Sequence, residues 1–211
     1  MNRLRGLIVL VVAGCAASGA PAGDDPAPAG GVAEVQSGRE GMGLVPPGHG
    51  TLRQDEFTIS LRSGALLVKV TPLEEAVIRL AAPDTYNRLH ALAESRRAEA
   101  TSAAMADDPE VFLVSFFSYE PDVVFQPEDL QLVQQGRLFR ARAVLPVTPG
   151  WGKQRLQQQE TQSALYVFEP GIDYALPLVV RYGVAESDDW SRIIPVLEEE
   201  HAKVRARAAT G

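Results

Sequence analysis

A run of basic residues around one tryptophan is the strongest candidate for a binding surface in this sequence. Five basic residues and no acidic residue lie between positions 137 and 155: Arg137, Arg140, Arg142, Lys153 and Arg155. Trp151 stands between two glycines in the same stretch, although the protein as a whole has a formal net charge of −7. A cationic loop that carries an aromatic ring on a rigid sheet is typical of a recognition surface.

Two interpretations of this stretch are open. In the first, Arg140 and Arg142 share one strand face and the following loop brings Lys153 close to them. The residues Trp151, Lys153, Arg155, Arg140 and Arg142 would then bind an anionic glycan or an acidic partner. In the second, Trp151 folds back onto the edge of the sheet, and the cations only balance local acids such as Glu128 and Asp129.

Catalytic chemistry has no recognisable pattern in the sequence. His49, His90 and His201 fall in a loop and in two separate helices, without a second ligand at a metal-binding spacing. Asp107 and Asp108 are adjacent in a polar linker, where carboxylates usually face solvent. No nucleophile elbow and no phosphate-binding loop occurs. We therefore expect a non-enzymatic protein without metal or cofactor. An unrecognised hydrolase is the alternative, because sites can assemble from distant residues.

The only cysteine of the chain, Cys15, follows a short apolar segment near the amino terminus. Arg3 and Arg5 form a positive region, and residues 7–13 form the apolar region of a secretory signal. That segment is much shorter than the ~20 residues that a membrane-spanning helix needs. We therefore expect residues 1–14 to be a signal peptide, which leaves an exported cysteine with no partner for a disulfide.

The residues Val12-Ala13-Gly14-Cys15 resemble the lipobox of bacterial lipoproteins. The resemblance implies diacylglycerol on the Cys15 thiol, cleavage before Cys15 and acylation of the new amino terminus. Two or more acyl chains give a stable membrane anchor. The resemblance also implies a place in the bacterial cell envelope. Because Ala16 follows the cysteine, this is the outer membrane facing the periplasm if the cell is diderm. The alternative is an ordinary secreted protein, cleaved after a site such as Cys15-Ala16-Ala17.

Composition predicts a tether followed by one domain. Residues 15–50 are rich in Ala, Gly and Pro and are predicted to form a flexible tether. Residues 51–207 are long enough for a single globular domain with its own core. The body is acidic and has no contiguous tract of basic residues, which argues against binding of nucleic acid and against electrostatic binding to anionic lipid. The expected partners are therefore the membrane, through the lipid, and an envelope protein.

Local patterns predict a hairpin and helices over residues 51–104. The hairpin pairs 56–62 with 65–70 around a Ser63-Gly64 turn. Thr71, Pro72 and Glu74 have the spacing of a helix start with a capping box. A second helix is predicted over 84–104.

The remainder of the chain is predicted to be β-rich over 110–183 and to end in a helix over 187–207. Pro170-Gly171 is the predicted turn of a hairpin between residues 164–168 and 174–182. Other strands are expected at 111–117, 123–126, 130–134 and 138–144.

Several segments of this β-rich part resemble telokin-like immunoglobulin-fold domains of exported bacterial proteins: Phe125–Leu130, Ala164–Phe168, Pro170-Gly171 and Leu178–Tyr182. The resemblance implies a β-sandwich. The expected fold class is thus α+β, a β-sandwich-like (immunoglobulin-like) body with a helical insertion and a C-terminal helix. The expected function is that of a cell-envelope lipoprotein that binds or scaffolds a protein partner, with anionic glycan binding and hydrolysis as alternatives.

Overall fold

The computed structural model describes residues 43–210. The predicted signal peptide, Cys15 and the first part of the predicted tether lie outside the described residues. In the described part, three α-helices accompany eleven strands, and all pairs of strands are antiparallel. The protein therefore has a mixed α+β fold with a C-terminal helix, as predicted at this level.

The elements follow one another in this order: β1 Ile59–Ser63, β2 Leu66–Pro72, α1 Glu75–Ile78, α2 Pro83–Ala104, β3 Glu110–Ser118, β4 Val123–Val124, β5 Leu130–Gln134, β6 Arg137–Arg140, β7 Ala143–Pro146, β8 Arg155–Leu156, β9 Glu160–Phe168, β10 Val179–Tyr182, β11 Ala185–Ser187 and α3 Trp190–Thr210. Short 3-10 turns lie at Gln54–Phe57, Pro127–Asp129 and Trp151–Lys153.

Two sheets carry most of the strands and share one aromatic core. The first has the order β1-β2-β3-β9-β7, and the second has the order β11-β10-β5-β6. Phe116 on β3 connects them, because its ring centroid lies 5.4 Å from that of Tyr182 on β10. It also stacks on Phe125 at 4.6 Å. Strands β4 and β8 form a separate two-stranded pair beside this cluster.

The first hairpin and the long helix lie where the sequence predicts them. Ser63 pairs with Leu66 across the turn, and Gly64 supplies the left-handed φ of +58° that the turn requires. Helix α2 begins at Pro83, where a proline costs no hydrogen bond, and its last residue is Ala104.

The helix start predicted at Thr71 is wrong. Thr71 and Pro72 belong to β2 and pair with Leu113 and Phe112 of β3, so the ladder continues through both residues. The buried Thr71 hydroxyl hydrogen-bonds that of Thr58 at 2.7 Å instead of capping a helix. The helix that follows, α1, has only four residues.

Two predicted strand assignments also differ from the structure. The strand predicted over 138–144 is divided between β6 and β7, which belong to different sheets. Strand β9 pairs with β3 and β7, whereas β10 pairs with β5 and β11, so the predicted hairpin around Pro170-Gly171 does not form. The chain crosses between the sheets at this point, and Pro177 lies outside β10.

The segment 43–52 is packed against the domain, although the sequence predicted a flexible tether as far as Gly50. Val45 is 2% exposed, and the backbone of Leu52 bonds that of Leu80 at 3.1 Å. Gly50 permits this approach, because a Cβ atom there would lie 2.2 Å from the Leu80 carbonyl.

A buried carboxylate on α3 holds the same segment in place. Glu200 is 3% exposed and accepts hydrogen bonds from the backbone N–H and the hydroxyl of Thr51, at 3.0 and 2.9 Å. Arg207 donates to it at 2.8 Å. Burial alone would raise the pKa of Glu200, but the bonds from Arg207 and Thr51 outweigh it and lower the pKa. The charged carboxylate is therefore the form that joins the segment to α3.

Candidate binding cleft

Trp151, the centre of the basic stretch, lies in the aromatic core. Its side chain is 6% exposed, and its ring centroid lies 5.1 Å from that of Phe125 and 5.8 Å from that of Phe116. Tyr166 contacts it from a third side at 6.3 Å. The ring therefore has no open face on which a ligand could pack.

The basic residues of this stretch lie beside different parts of β9 and do not form one cluster. The backbone N–H of Arg142 bonds Val167, whereas the carbonyl of Arg155 accepts from the side chain of Gln162. Five residues of extended strand separate these two points by ~17 Å. Arg140 is exposed on β6, two residues before Arg142. The structure therefore places Arg140 and Arg142 near one end of β9, and Arg155 near the other.

Carboxylates lie beside most of these cations. Arg142 contacts Glu169 at 2.7 Å and Arg155 contacts Asp122 at 3.3 Å. Lys153 is exposed near Glu160. The pKa of Glu160 is lowered by hydrogen bonds from the backbone of Gln157 and the side chain of Gln162, and further by the charge of Lys153. These contacts agree with a charge-balancing role at the surface.

A cleft of about 490 Å³ lies in a different part of the domain. Its walls are the start of the described chain at 43–44, residues 73–76 at the start of α1, residues 108–111 at the start of β3 and residues 172–175. One side of α2 closes it through Ala93, Arg97 and Ala100. This volume is within the range of small-ligand sites, and it also fits one or two side chains of a bound peptide. We call this feature the acidic cleft.

Glu110 and Tyr174 meet at the wall of the acidic cleft. Glu110 is 4% exposed, and one carboxylate oxygen accepts a 2.8 Å hydrogen bond from the Tyr174 hydroxyl. The other oxygen accepts from the backbone N–H of Gly171 at 3.3 Å. Tyr174 is held in turn by edge contact with Trp190, whose indole N–H donates to the Tyr174 carbonyl at 3.0 Å.

Carboxylates dominate the charge of the acidic cleft. Its acidic lining residues are Glu74, Glu75, Asp108, Glu110 and Asp173. Arg97 is the basic residue among the described lining residues, and it is hydrogen-bonded to Glu94 on its own helix. That bond raises the pKa of Arg97, and the charges of Asp108 and Glu75 raise it further. The described lining residues therefore carry a negative formal charge even with Arg97 counted.

Glu75 is already engaged by a second group of side chains. Arg79 donates to one of its oxygens at 2.6 Å, and His90 Nδ1 lies 2.6 Å from the other. The ring of Tyr86 stacks on that of His90 at 5.2 Å. Glu75 is thus fixed in orientation by Arg79 and His90.

The chemistry that this arrangement favours is the binding of a cation. Carboxylates attract ammonium and guanidinium groups, and the apolar parts of the cleft, such as Leu73 and Ile172, can contact the aliphatic stems of Lys or Arg. Within residues 43–210, no group of three or more His, Cys, Asp or Glu side chains is arranged to hold a metal ion.

The sequence contained only a weak signal for the acidic cleft. Glu110 opens a largely apolar strand whose residues are all buried or half-buried, so a charge at that position calls for a local partner. In the sequence, Asp108 stands out only as the neighbour of Asp107, and Tyr174 only as the start of the predicted strand 174–182. The three residues converge because the chain crosses between sheets after β9, which the sequence pattern did not reveal.

No protein-family model, curated protein or solved structure matches this chain. Among the helices of the described residues, none combines the length and apolar character needed to cross a membrane. The acidic cleft is therefore interpreted from its own geometry.

Replacing Trp151 with Ala tests which interpretation of the basic stretch is correct. Because the ring fills a buried aromatic cluster, we expect Trp151→Ala to lower the free energy of unfolding by about 3–5 kcal/mol. Lys153→Ala, at an exposed position two residues away, should change it by less than about 0.5 kcal/mol. Chemical denaturation of both variants measures this. Unchanged stability in Trp151→Ala would show that the ring is a surface group.

Proposed function

We propose that this protein is a lipid-anchored component of the bacterial cell envelope that binds a protein partner without catalysis. The acidic cleft is the observation that supports the binding role, because it combines a defined volume with an excess of carboxylates over basic groups among its described lining residues. A Lys- or Arg-rich segment of a partner is the ligand that this chemistry favours. The anchor is supported by the sequence around Cys15.

The energetics favour a partner that presents several cations together. A single exposed ion pair contributes about 0.2–1 kcal/mol, so one lysine alone binds weakly. Glu74, Asp108 and Asp173 lie on three separate segments of the cleft wall, which allows adjacent basic side chains to find separate carboxylates. Such a ligand would associate rapidly and weaken as salt is added.

Binding of an anionic glycan through Trp151, Lys153, Arg155, Arg140 and Arg142 has less support. Trp151 is buried, and Arg142 and Arg155 contact separate carboxylates. For the fold, we further propose an immunoglobulin-like sandwich, supported by the two antiparallel sheets that share the Phe116 cluster.

Charge removal at the acidic cleft tests the binding role. The probe is a fluorescent tetralysine peptide, and the variant is Glu74→Gln with Asp108→Asn. We expect about tenfold weaker binding, or roughly 1.4 kcal/mol, because two cleft carboxylates are neutralised. The matched control is Glu128→Gln with Asp129→Asn, which removes the same charge at two exposed residues elsewhere. Fluorescence anisotropy at low salt measures both. Equal weakening in variant and control, or no binding by the unaltered protein, would contradict the proposal.

Fractionation of cells tests the anchor separately. Unaltered protein should sediment with membranes, and mass spectrometry should find acyl chains on Cys15. In Cys15→Ser we expect both the acylation and the membrane association to disappear. If Cys15→Ser still sediments with membranes and its mass shows no loss of acyl chains relative to the unaltered protein, the anchor proposal is wrong.

A further inference from the structure

We infer that the free edge of β6 accepts an extended segment of a protein partner as an added strand, and that this segment alternates apolar and acidic side chains with polar ones. The inference goes beyond the proposed function, because β6 does not line the acidic cleft and favours a ligand of the opposite charge. In strand addition, backbone hydrogen bonds supply the affinity and side chains supply the specificity.

The register of β6 leaves alternate backbone groups unpaired. Residues 135–136 have positive φ angles of 50° and 78° and form the two-residue turn between β5 and β6. Gln134 and Arg137 flank this turn and therefore exchange backbone hydrogen bonds, and the bonded pairs alternate with unbonded pairs along the hairpin. The N–H and C=O groups of Leu138 and Arg140 thus point away from β5.

No other strand of the described chain occupies this edge. Strand β6 pairs with β5 alone, and no backbone hydrogen bond from elsewhere in residues 43–210 reaches Leu138 or Arg140. The other edges differ. Strand β11, at the opposite edge of the same sheet, contacts β1, and β7 ends in Pro146, which has no N–H to offer. The β6 edge is therefore open to pairing.

Leu138 supplies an apolar contact for the added strand. Phe139 is 1% exposed in the core, so its neighbours Leu138 and Arg140 lie on the outer face of the sheet. Leu138 is 41% exposed and pairs with Val133 of β5, which pairs in turn with Val179 of β10. An apolar side chain on the added strand would extend this cross-strand row by one member.

Arg140 supplies the charge complementarity. It is exposed and forms no ion pair within the described chain, whereas Arg137 and Arg142 both contact Glu169. Because alternate residues share a face, a carboxylate two residues from the apolar side chain of the added strand would lie beside Arg140. A second copy of this chain fits the edge less well, since pairing of two β6 strands would bring like charges together.

A peptide with this pattern tests the inference on the full chain. The probe is fluorescent Thr-Val-Thr-Glu-Thr-Val-Thr, which presents Val and Glu on one face in either strand direction. Its control has the same side chains and N-methylated backbone amides, so it cannot donate hydrogen bonds. We expect the control to bind about tenfold more weakly by fluorescence anisotropy. The unmodified probe should slow the exchange of the Leu138 and Arg140 N–H groups, measured by NMR.

A proline on β6 tests the backbone contribution from the side of the protein. Leu138→Pro removes an outward donor but no ladder hydrogen bond to β5, so we expect it to abolish probe binding. The matched Leu138→Thr keeps the N–H and should weaken binding only about two- to fivefold. Thermal unfolding checks the fold of both variants. The N-methylated control leaves the protein unaltered, and it decides the question if Leu138→Pro does not fold.

Removal of one charge tests the complementarity. Arg140→Gln should weaken probe binding by about two- to fivefold, which is the effect of one exposed ion pair. Arg205→Gln removes the same charge from an exposed residue of α3 and should leave binding unchanged. Equal weakening by both substitutions would overturn the charge assignment at Arg140.

Three results would overturn the strand addition itself. The first is equal binding of the probe and its N-methylated control, and the second is protection confined to residues outside β6. The third is a dimer in sedimentation that Leu138→Pro abolishes while the probe does not bind, because a second copy would then occupy the edge. Glu74→Gln with Asp108→Asn should leave probe binding unchanged, so failure of the acidic cleft and failure of the β6 edge are distinguishable.

Discussion

The hydrogen bond between the Glu110 carboxylate and the Tyr174 hydroxyl is the interaction on which the acidic cleft depends. A carboxylate that is 4% exposed is stable only when its oxygens are hydrogen-bonded, and here the donors come from the crossing between β9 and β10. The bond therefore joins the first residue of β3 to the connection between β9 and β10, which forms no strand. Trp190 of α3 fixes Tyr174 through an edge-to-face ring contact and a hydrogen bond from its indole N–H to the Tyr174 carbonyl.

A second buried carboxylate, that of Glu200, performs the corresponding task for the segment 43–52. Glu200 fixes Thr51, and Gly50 allows the backbone to pass against Leu80, so residues 43–52 follow a defined path. That path determines where the chain enters the domain and makes Gly43 and Leu44 part of the cleft wall. The carboxylates of Glu110 and Glu200 thus hold in place two irregular segments that contribute to the cleft wall, residues 171–174 and 43–52.

The sequence predicted the elements whose signals are local. Alternating apolar residues and Ser63-Gly64 located the first hairpin, and Pro83 located the start of α2. Pairing between distant segments was not predictable in this way. Thr71 and Pro72 have the spacing of a helix start, but pairing with Leu113 and Phe112 extends β2 through them. Tertiary contact overrides local preference here, because the ladder satisfies more backbone groups than a short helix would.

The candidate site was less predictable than the fold for the same reason. The basic stretch around Trp151 is conspicuous in the sequence. The indole ring is nevertheless buried in the aromatic core, because burying its large apolar area is strongly favourable. Glu110, Tyr174 and Glu200 are separated by up to 90 positions in the sequence. Their structural roles follow from their burial and their hydrogen bonds, which the sequence does not show. The position of Glu110 at the start of an apolar run is the one sequence feature that hinted at this group of residues.

Hydrogen–deuterium exchange with the tetralysine peptide tests the central claim most directly, because it shows where on the protein a cationic segment binds. The backbone N–H groups of Gly171, Asp173 and Ala175 are bonded to side chains. Asp173 and Ala175 line the cleft, so hydrogen exchange in this segment reports on a ligand bound there. The account predicts slower exchange at 108–111 and 171–175 when the peptide is added, and no change at 149–155. Protection confined to other segments, or no protection at all, would contradict it.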